Sequence, residues 1–441
     1  MSEYIPHTPE DIRAMLAEVG LQDLEALFSD IPDEVRGRFR PLGLPRRDED
    51  WVRRHLTELS RRSAGQGLVP FLGGGIYDHF VPAVVDYVLS LPELYTAYTP
   101  YQAEASQGTL TWMFEYQTMV CELTGMEVAN SSMYDGATAL AEAVLMAHRA
   151  TRGDTVLVPR SLNPRVREVL STYAWGAGLK LVDISYGEDG RLQLSEIPTG
   201  TCALIVGQPN FFGVIEDLSG LKDRLGKAFL IVYVNPIALG VLAPPGDFGA
   251  DVVVGEGQVL GSPPSFGGPL LGMFAARAEH LRRMPGRISG QTVDAEGKVG
   301  YVMAFQTREQ HIRRERATSN ICTNSALCAL AATVYLAALG PWGLRRVALL
   351  SMERAHRLAQ EVSSIPGYEP AFSGPFFNEF ALRCPDPKKA VKKLREAGIA
   401  VLPPEEVGKA GLEGALLVAV TERRTEEELA RFVSALKGGA D

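Results

Sequence analysis

The sequence predicts an α/β protein, with a large domain around a mostly parallel sheet followed by a small α+β domain. Between about 130 and 276, short runs rich in valine, isoleucine and leucine alternate with helical segments, as in parallel sheets covered on both faces. The 441 residues exceed what one hydrophobic core usually supports. The apolar content of 46% and charged content of 22% are ordinary for a globular chain.

The first residues, 1–62, are predicted to form a separate helical arm. Thr8 followed by Pro9 and Asp11 has the form of a helix start, and apolar residues then recur at helical spacing. A second helix around 48–62 places Trp51 and His55 on one stripe. We expect this arm to cover either the main domain or a partner subunit.

The large domain is predicted to span 63–340. Its strands are expected in six apolar runs: TVLVP, LKLVDI, CALIVG, FLIVYV, DVVVG and PLLGMFAA. Ligands of such sheets bind at the carboxyl ends of the strands, so the loops after these runs are where chemistry is expected.

The small α+β domain is predicted to span 341–441. It contains a long helix (344–362), an extended region (368–383), a helix (388–397), the strand ALLVAV and a helix opened by Thr425. No internal repeat interrupts this pattern.

Composition excludes several classes of function. The net charge of −9 argues against a nucleic-acid surface, although residues 279–287 and 311–316 concentrate arginine and are most simply solvated or ion-paired faces. No apolar run approaches the roughly 18 residues of a membrane helix, and the first residues do not have the form of a secretory signal, so we expect a cytoplasmic protein. The five cysteines are scattered without zinc-ligand spacing, and no metal site is expected.

Glycine-rich stretches do not predict a nucleotide site. The glycines of GADVVVGEGQVLGSPP are followed by Pro263 and Pro264 rather than by the helix that a dinucleotide needs, and Gly73–Gly75 lack the lysine of a phosphate loop. The turn at Asp135–Thr138 opens a helix. It is either an anion-binding helix start or an ordinary cap.

Two polar stretches are candidate binding segments. YTPYQAEASQG (98–108), with Tyr95 just before it, has the composition of a binding loop, or of a surface loop pinned by buried tyrosines. The segment 315–330 places Thr318, Ser319 and Asn320 between helical stretches, where they could bind phosphate oxygens or simply cap a helix.

Long stretches from about 70 to 325 resemble one known family, the glycine cleavage system P protein, glycine dehydrogenase (decarboxylating). They are FLGGGIYDHFVPAVV, YTPYQAEASQG, EYQTMVCELTGMEVANSSMYDGATALAEA, PPGDFGADVVVGEGQVLGSPPSFGGP and QTREQHIRRERATSNICT. The chain resembles the N-terminal-half subunit, subunit 1, found where that enzyme is split into two polypeptides.

The resemblance implies the pyridoxal-phosphate (PLP) transferase fold, type I, similar to aspartate aminotransferase. The cofactor lysine of catalytic members falls on Gln258, and no lysine occurs between Lys227 and Lys298. The aspartate that pairs with the pyridine nitrogen falls on Asn235. Since glutamine forms no Schiff base, the chain is expected to bind no PLP covalently, to contain no catalytic residue of its own and to be inactive alone.

The resemblance also implies partners and residue roles. A second subunit would hold PLP and decarboxylate glycine, and the aminomethyl group would pass to the lipoyl group of the H protein, in an α2β2 heterotetramer. The resemblance suggests that Thr318, Ser319 and Asn320 reach the partner's cofactor phosphate. Five loop residues would shape the glycine pocket or lipoyl channel: Tyr95, Tyr98, Tyr101, Gln102 and Glu104. The alternatives are a non-catalytic scaffold and a self-sufficient PLP enzyme using another lysine.

Overall fold

The structure, a computed structural model, describes residues 6–63 and 65–438 of the chain. It divides into two compact units, the first comprising Met1–Gln66 and the second Gly67–Asp441.

The first unit is helical, with α1 (Pro9–Glu18), α2 (Asp33–Arg36) and α3 (Glu49–Arg61). The predicted helix start at Thr8 is confirmed. The Asp11 N–H donates to Thr8 Oγ1 over 3.2 Å, and the Thr8 N–H donates back to Asp11 Oδ2 over 2.8 Å. Among the described residues of this unit only Leu16 is buried, so most of its apolar side chains contact solvent.

The second unit contains the rest of the secondary structure. Its helices are α4 (Ala83–Leu89), α5 (Pro92–Tyr95), α6 (Gln107–Thr124), α7 (Gly136–Thr151), α8 (Pro164–Ala177), α9 (Leu221–Leu225), α10 (Gln310–Arg313), α11 (Ala326–Ser363), α12 (Pro387–Glu396), α13 (Pro404–Gly408) and α14 (Glu426–Lys437). Its strands are β1 (Val69–Pro70), β2 (Val128–Ala129), β3 (Thr155–Pro159), β4 (Lys180–Ile184), β5 (Thr201–Gln208), β6 (Phe229–Val234), β7 (Val252–Glu256), β8 (Gly272–Ala276), β9 (Ile288–Val293), β10 (Val299–Ala304), β11 (Glu369–Pro370), β12 (Glu379–Arg383), β13 (Ile399–Ala400) and β14 (Ala415–Ala419).

The central sheet has seven strands in the order β2-β8-β7-β6-β5-β3-β4. Strands β3 to β7 run parallel, whereas β8 is antiparallel to β7, and each of the six predicted runs contains a strand. Successive residues point to opposite faces, so Val253 packs in one core cluster while Val252 and Val254 pack in another. Both faces are therefore covered, which explains why the strands are continuously apolar.

The C-terminal part contains the predicted α+β elements. Strands β11, β12 and β14 form an antiparallel sheet, against which α11 and α14 contribute core residues. The short strand β1 pairs in parallel with β13, with Val69 opposite Ile399, so the chain just after the first unit joins this C-terminal part.

Helix α11 corrects two expectations. It begins at Ala326 rather than near 344, and it is interrupted at Gly340 (φ 58°, ψ −177°) before Pro341. The expectation that no stretch has the composition of a membrane helix is also wrong, because α11 is long and apolar enough by that test. However, its 14 residues before the break extend only about 21 Å, and Ala329, Ala331 and Ala332 are buried in the core.

Candidate functional site

Gln258 lies directly after β7, at the carboxyl edge of the sheet where the sequence predicts chemistry. Its side chain is only 1% exposed and is fully engaged. Oε1 accepts a hydrogen bond from the Tyr77 N–H (3.1 Å), while Nε2 donates to the carbonyls of Tyr77 (3.1 Å) and Ser262 (2.6 Å). The amide therefore joins two loops that close over the end of the strand.

Glu256 occupies the donors next to this position. Its carboxylate accepts hydrogen bonds from the backbone N–H groups of Gly136 (2.9 Å), Gln258 (3.0 Å) and Leu271 (2.9 Å). Burial raises the pKa of Glu256 to about 7, and the three N–H donors oppose that rise. The protein's own carboxylate thus lies where the first N–H of helix α7 points.

The turn at Asp135–Thr138 is an ordinary cap in this structure. Asp135 precedes α7 and accepts a hydrogen bond from the Thr138 N–H over 2.9 Å. With Gly136 bonded to Glu256, the two donors are used by side chains of the chain itself, and the anion-binding alternative is not seen.

Asn235 follows β6 and faces the same place. Its Oδ1 accepts from the Ile237 N–H (3.1 Å), but its Nδ2 is buried and has no partner within residues 67–438. The amide carries no charge that could hold a pyridine nitrogen protonated.

A small cavity remains between these residues. Asn235, Glu256, Ser161 and Glu379 line it, and its volume open to the centres of water molecules is about 40 Å³. This holds about three waters. With no amine at position 258 and a carboxylate on the helix start, the residues present do not fit PLP.

Glu379 is a site residue that the sequence analysis missed. It is buried at the start of β12, where Oε1 accepts from the Gly74 N–H (2.7 Å) and Oε2 from the Tyr77 hydroxyl (2.8 Å). Burial raises its pKa to about 7. A β-carbon at Gly73 would come within 1.8 Å of Glu379 Oε1, so the glycine triplet that fails as a phosphate loop is the signal that could have found this contact.

The tyrosine loop, residues 95–106, connects α5 to α6. It does not line the cavity. Tyr95, Tyr98 and Tyr101 are 66%, 76% and 50% exposed, so the expectation of a loop pinned by buried tyrosines is wrong. Gln102 and Glu104 are exposed too. Gln107 anchors the C-terminal end, since its side chain exchanges hydrogen bonds with the backbone of Tyr301 (2.8 and 2.9 Å).

The polar segment 318–320 is held against helix α7. The Ser319 hydroxyl donates to Glu142 (2.7 Å) and accepts from the Ile321 N–H (3.1 Å). Asn320 is exposed, Thr318 is half-buried, and the Thr318 N–H donates to the Arg308 carbonyl over 3.0 Å. None of the three caps α11, which starts at Ala326.

Within residues 6–63 and 65–438, one group of three side chains has metal-ligand geometry: Asp251, Glu279 and His280. The Lys222 ammonium lies 2.8 Å from the Asp251 carboxylate. Because the Lys222 ammonium already pairs with the Asp251 carboxylate, that carboxylate is not available as a ligand for a metal cation. We therefore propose no metal site here.

The mostly parallel seven-stranded sheet and the antiparallel sheet of the C-terminal part are the architecture of a PLP-transferase fold of type I. A model of the family described as "Glycine cleavage system P-protein" matches residues 2–436. The chain therefore belongs to the glycine cleavage system P-protein family, as its resemblance predicts.

Individual relatives agree with this assignment. The chain is 49% identical to the "Probable glycine dehydrogenase (decarboxylating) subunit 1" of Carboxydothermus hydrogenoformans, over 99% of each chain. It is 44% identical, with a TM-score of 0.92 and 99% coverage of both chains, to a crystal structure of "glycine decarboxylase (P-protein) of the glycine cleavage system, in inhibitor-bound form". A sphingosine-1-phosphate lyase of Burkholderia pseudomallei shares the fold (TM-score 0.65, 14% identity, 90% of this chain and 92% of that one).

Proposed function

We propose that this chain is the PLP-free subunit of a two-subunit glycine dehydrogenase (decarboxylating) and completes the active site of its partner. The observation that carries this proposal is the pocket after β7, where Gln258 stands in place of the lysine that the resemblance implies and the Glu256 carboxylate accepts the first N–H of α7. The relatives named subunit 1 over their full length support a division of the enzyme between two chains.

The partner subunit would hold PLP, which supplies the electron sink for the decarboxylation of glycine. The aminomethyl group would then pass to the lipoyl group of the H protein. No step of this chemistry is assigned to the pocket of the present chain, because residue 258 is a glutamine and offers no amine for a Schiff base.

The contribution of this chain would come from its exposed polar segments. Tyr95, Tyr98, Gln102 and Glu104 are free to shape the glycine pocket or the lipoyl channel of the partner. Thr318 and Asn320 would reach the partner's cofactor phosphate. The Ser319 hydroxyl is bonded to Glu142, so Ser319 would hold the segment in place rather than contact phosphate itself.

We place the two chains in a heterodimer of related folds that dimerises again to an α2β2 tetramer. The test is to purify this chain and its partner separately and together, and to measure cofactor absorbance and glycine–bicarbonate exchange. We expect exchange only with both chains present. Exchange by this chain alone would support a self-sufficient enzyme instead.

The scaffold alternative needs its own variant. Replacing Tyr95 and Tyr98 by Phe, together with Thr318 by Ala, leaves the fold contacts described above in place. We expect glycine–bicarbonate exchange by the complex to fall at least tenfold, whereas wild-type exchange would mean that the chain only stabilises its partner.

A further inference from the structure

Arg287 is a buried arginine within one of the two basic stretches of the sequence. Instead of belonging to a solvated face, it is 3% exposed, and its carbonyl accepts a hydrogen bond from the Ser131 N–H over 2.8 Å. A buried guanidinium is costly unless its donors find partners, so its contacts indicate what it is there to hold.

On one side, Arg287 contacts the tyrosine loop. Its Nη1 donates to the Thr99 hydroxyl over 2.8 Å, and its Nη2 lies 3.5 Å from the Tyr101 hydroxyl. The guanidinium carbon is 5.6 Å from the centre of the Tyr101 ring. The Tyr101 ring thus lies beside the guanidinium, while half of the Tyr101 surface stays exposed.

On the other side, Arg287 contacts the polypeptide that leads to Thr318. Its Nε lies 3.6 Å from Glu309, also buried, and His311 approaches the same Glu309 oxygen to 3.7 Å. The neighbouring Arg308 donates to the Met284 and Gly286 carbonyls, just before Arg287. Arg287 therefore lies between the two segments that the proposed function brings to the partner's active site, with hydrogen bonds to the tyrosine loop and an ion pair to Glu309.

We propose that Arg287 is a positioning residue that fixes the tyrosine loop relative to the 306–320 segment, and so presents both to the partner subunit in register. The guanidinium donates from two of its nitrogens to the tyrosine loop while its Nε lies beside Glu309, and the single nitrogen of an ammonium group cannot reach both segments in this way. The part that the loop plays in the reaction rests on the proposed function, whereas the clamp itself is a property of this chain.

The test compares Arg287→Lys and Thr99→Val, singly and together, in the complex with the partner subunit. Arg287→Lys retains a positive charge beside Glu309 but loses the guanidinium, and Thr99→Val removes only the strongest acceptor in the loop. We expect backbone amides of residues 96–106 to exchange hydrogen about tenfold faster in either variant, with melting temperatures only a few degrees below wild type. Glycine–bicarbonate exchange should show a KM for glycine raised several-fold and a smaller change in kcat.

The double variant separates a clamp from general loosening. If Arg287 acts through Thr99, the double variant changes loop exchange and KM no further than the stronger single variant. Additive effects, or unchanged exchange of residues 96–106 in Arg287→Lys, would overturn the clamp. Faster loop exchange with wild-type kinetics would support the clamp and contradict the loop's role in the reaction, so the two proposals fail separately.

Discussion

The two carboxyl groups in the closed pocket explain much of its chemistry at the level of single residues. Glu256 and Glu379 are buried without a cationic partner among residues 67–438, and neutral donors stabilise each instead. Each has a pKa raised to about 7, chiefly because burial disfavours the charged form. Both carboxyl groups therefore change protonation state near neutral pH, and the pocket is not suited to an anionic ligand.

Glu379 gives a pH-dependent prediction. Its folded pKa of about 7 lies above its ordinary value of 4.5, so its contribution to stability is fully present below pH 4.5 and is lost as the pH rises through 7. At about 1.4 kcal/mol per pH unit, this amounts to about 3 kcal/mol. Glu379→Gln retains an acceptor for the Gly74 N–H and cannot ionise, so it should be more stable than wild type at pH 8.

Urea unfolding of wild type and Glu379→Gln between pH 4 and 8 measures this difference. Glu405→Gln is the control, because Glu405 is exposed and its pKa is lowered rather than raised. If the difference between wild type and Glu379→Gln does not change with pH, Glu379 does not hold a proton in the folded state.

At the scale of elements, the N-terminus of helix α7 packs closely against the ends of strands β6 and β7. Gly136 approaches so closely that a β-carbon there would lie 2.6 Å from the Tyr233 hydroxyl and 2.8 Å from the Glu256 nitrogen. The absence of a β-carbon at Gly136 thus permits this close packing, in which the Gly136 N–H donates to the Glu256 side chain.

Replacing Glu256 by Ala should destabilise the protein by about 3 kcal/mol at pH 5, below the folded pKa of Glu256 at about 7. Three backbone N–H groups lose their acceptor, and water in the small cavity compensates only partly. Glu256→Gln is the matched control, because its remaining oxygen can still serve Gln258 and Leu271 and leaves only Gly136 without an acceptor. Denaturant titration should therefore rank wild type, Glu256→Gln and Glu256→Ala in that order; equal stability of all three would contradict the bonding described.

The sequence predicts elements well where local pattern decides them. The runs TVLVP, FLIVYV and DVVVG become central strands because continuous apolar character suits a strand buried on both faces. Gly340 and Pro341 suggest a domain boundary, yet Gly340 is a single non-helical residue within α11. The predicted start of this helix near 344 is therefore too late in the sequence.

The site was predictable only in part. The resemblance predicts that Gln258 and Asn235 replace a lysine and an aspartate, and the structure places both residues at the carboxyl edge of the sheet. Glu256 and Glu379 bind partners 120 and 305 residues away along the chain, and no local period encodes such contacts. Arg287 was misjudged for the same reason, because an arginine-rich stretch gives no sign of which member is buried.

At the scale of the whole molecule, the first unit has apolar side chains that its own fold does not cover. Phe39, Leu42 and Leu44 are 75%, 87% and 78% exposed in the chain. We predict that deletion of residues 1–66 weakens association with the partner subunit at least tenfold, because these side chains are expected to bury area there.

Sedimentation of the mixed subunits at decreasing concentration measures that association. The full-length variant Leu42→Ser with Leu44→Ser is the matched control, and it should weaken the complex in the same direction without removing a helix. Association of the shortened chain as tight as wild type would mean that the first unit has another role.

We propose that this chain takes part in glycine decarboxylation without itself binding PLP. This proposal is tested by reducing the active complex with borohydride and analysing the separated subunits by mass spectrometry. Reduction converts a PLP Schiff base into a stable bond to its lysine. We predict the adduct on a lysine of the partner subunit and none on this chain. A reduced PLP adduct on any lysine of this chain, in an amount proportional to glycine–bicarbonate exchange, would contradict the proposal.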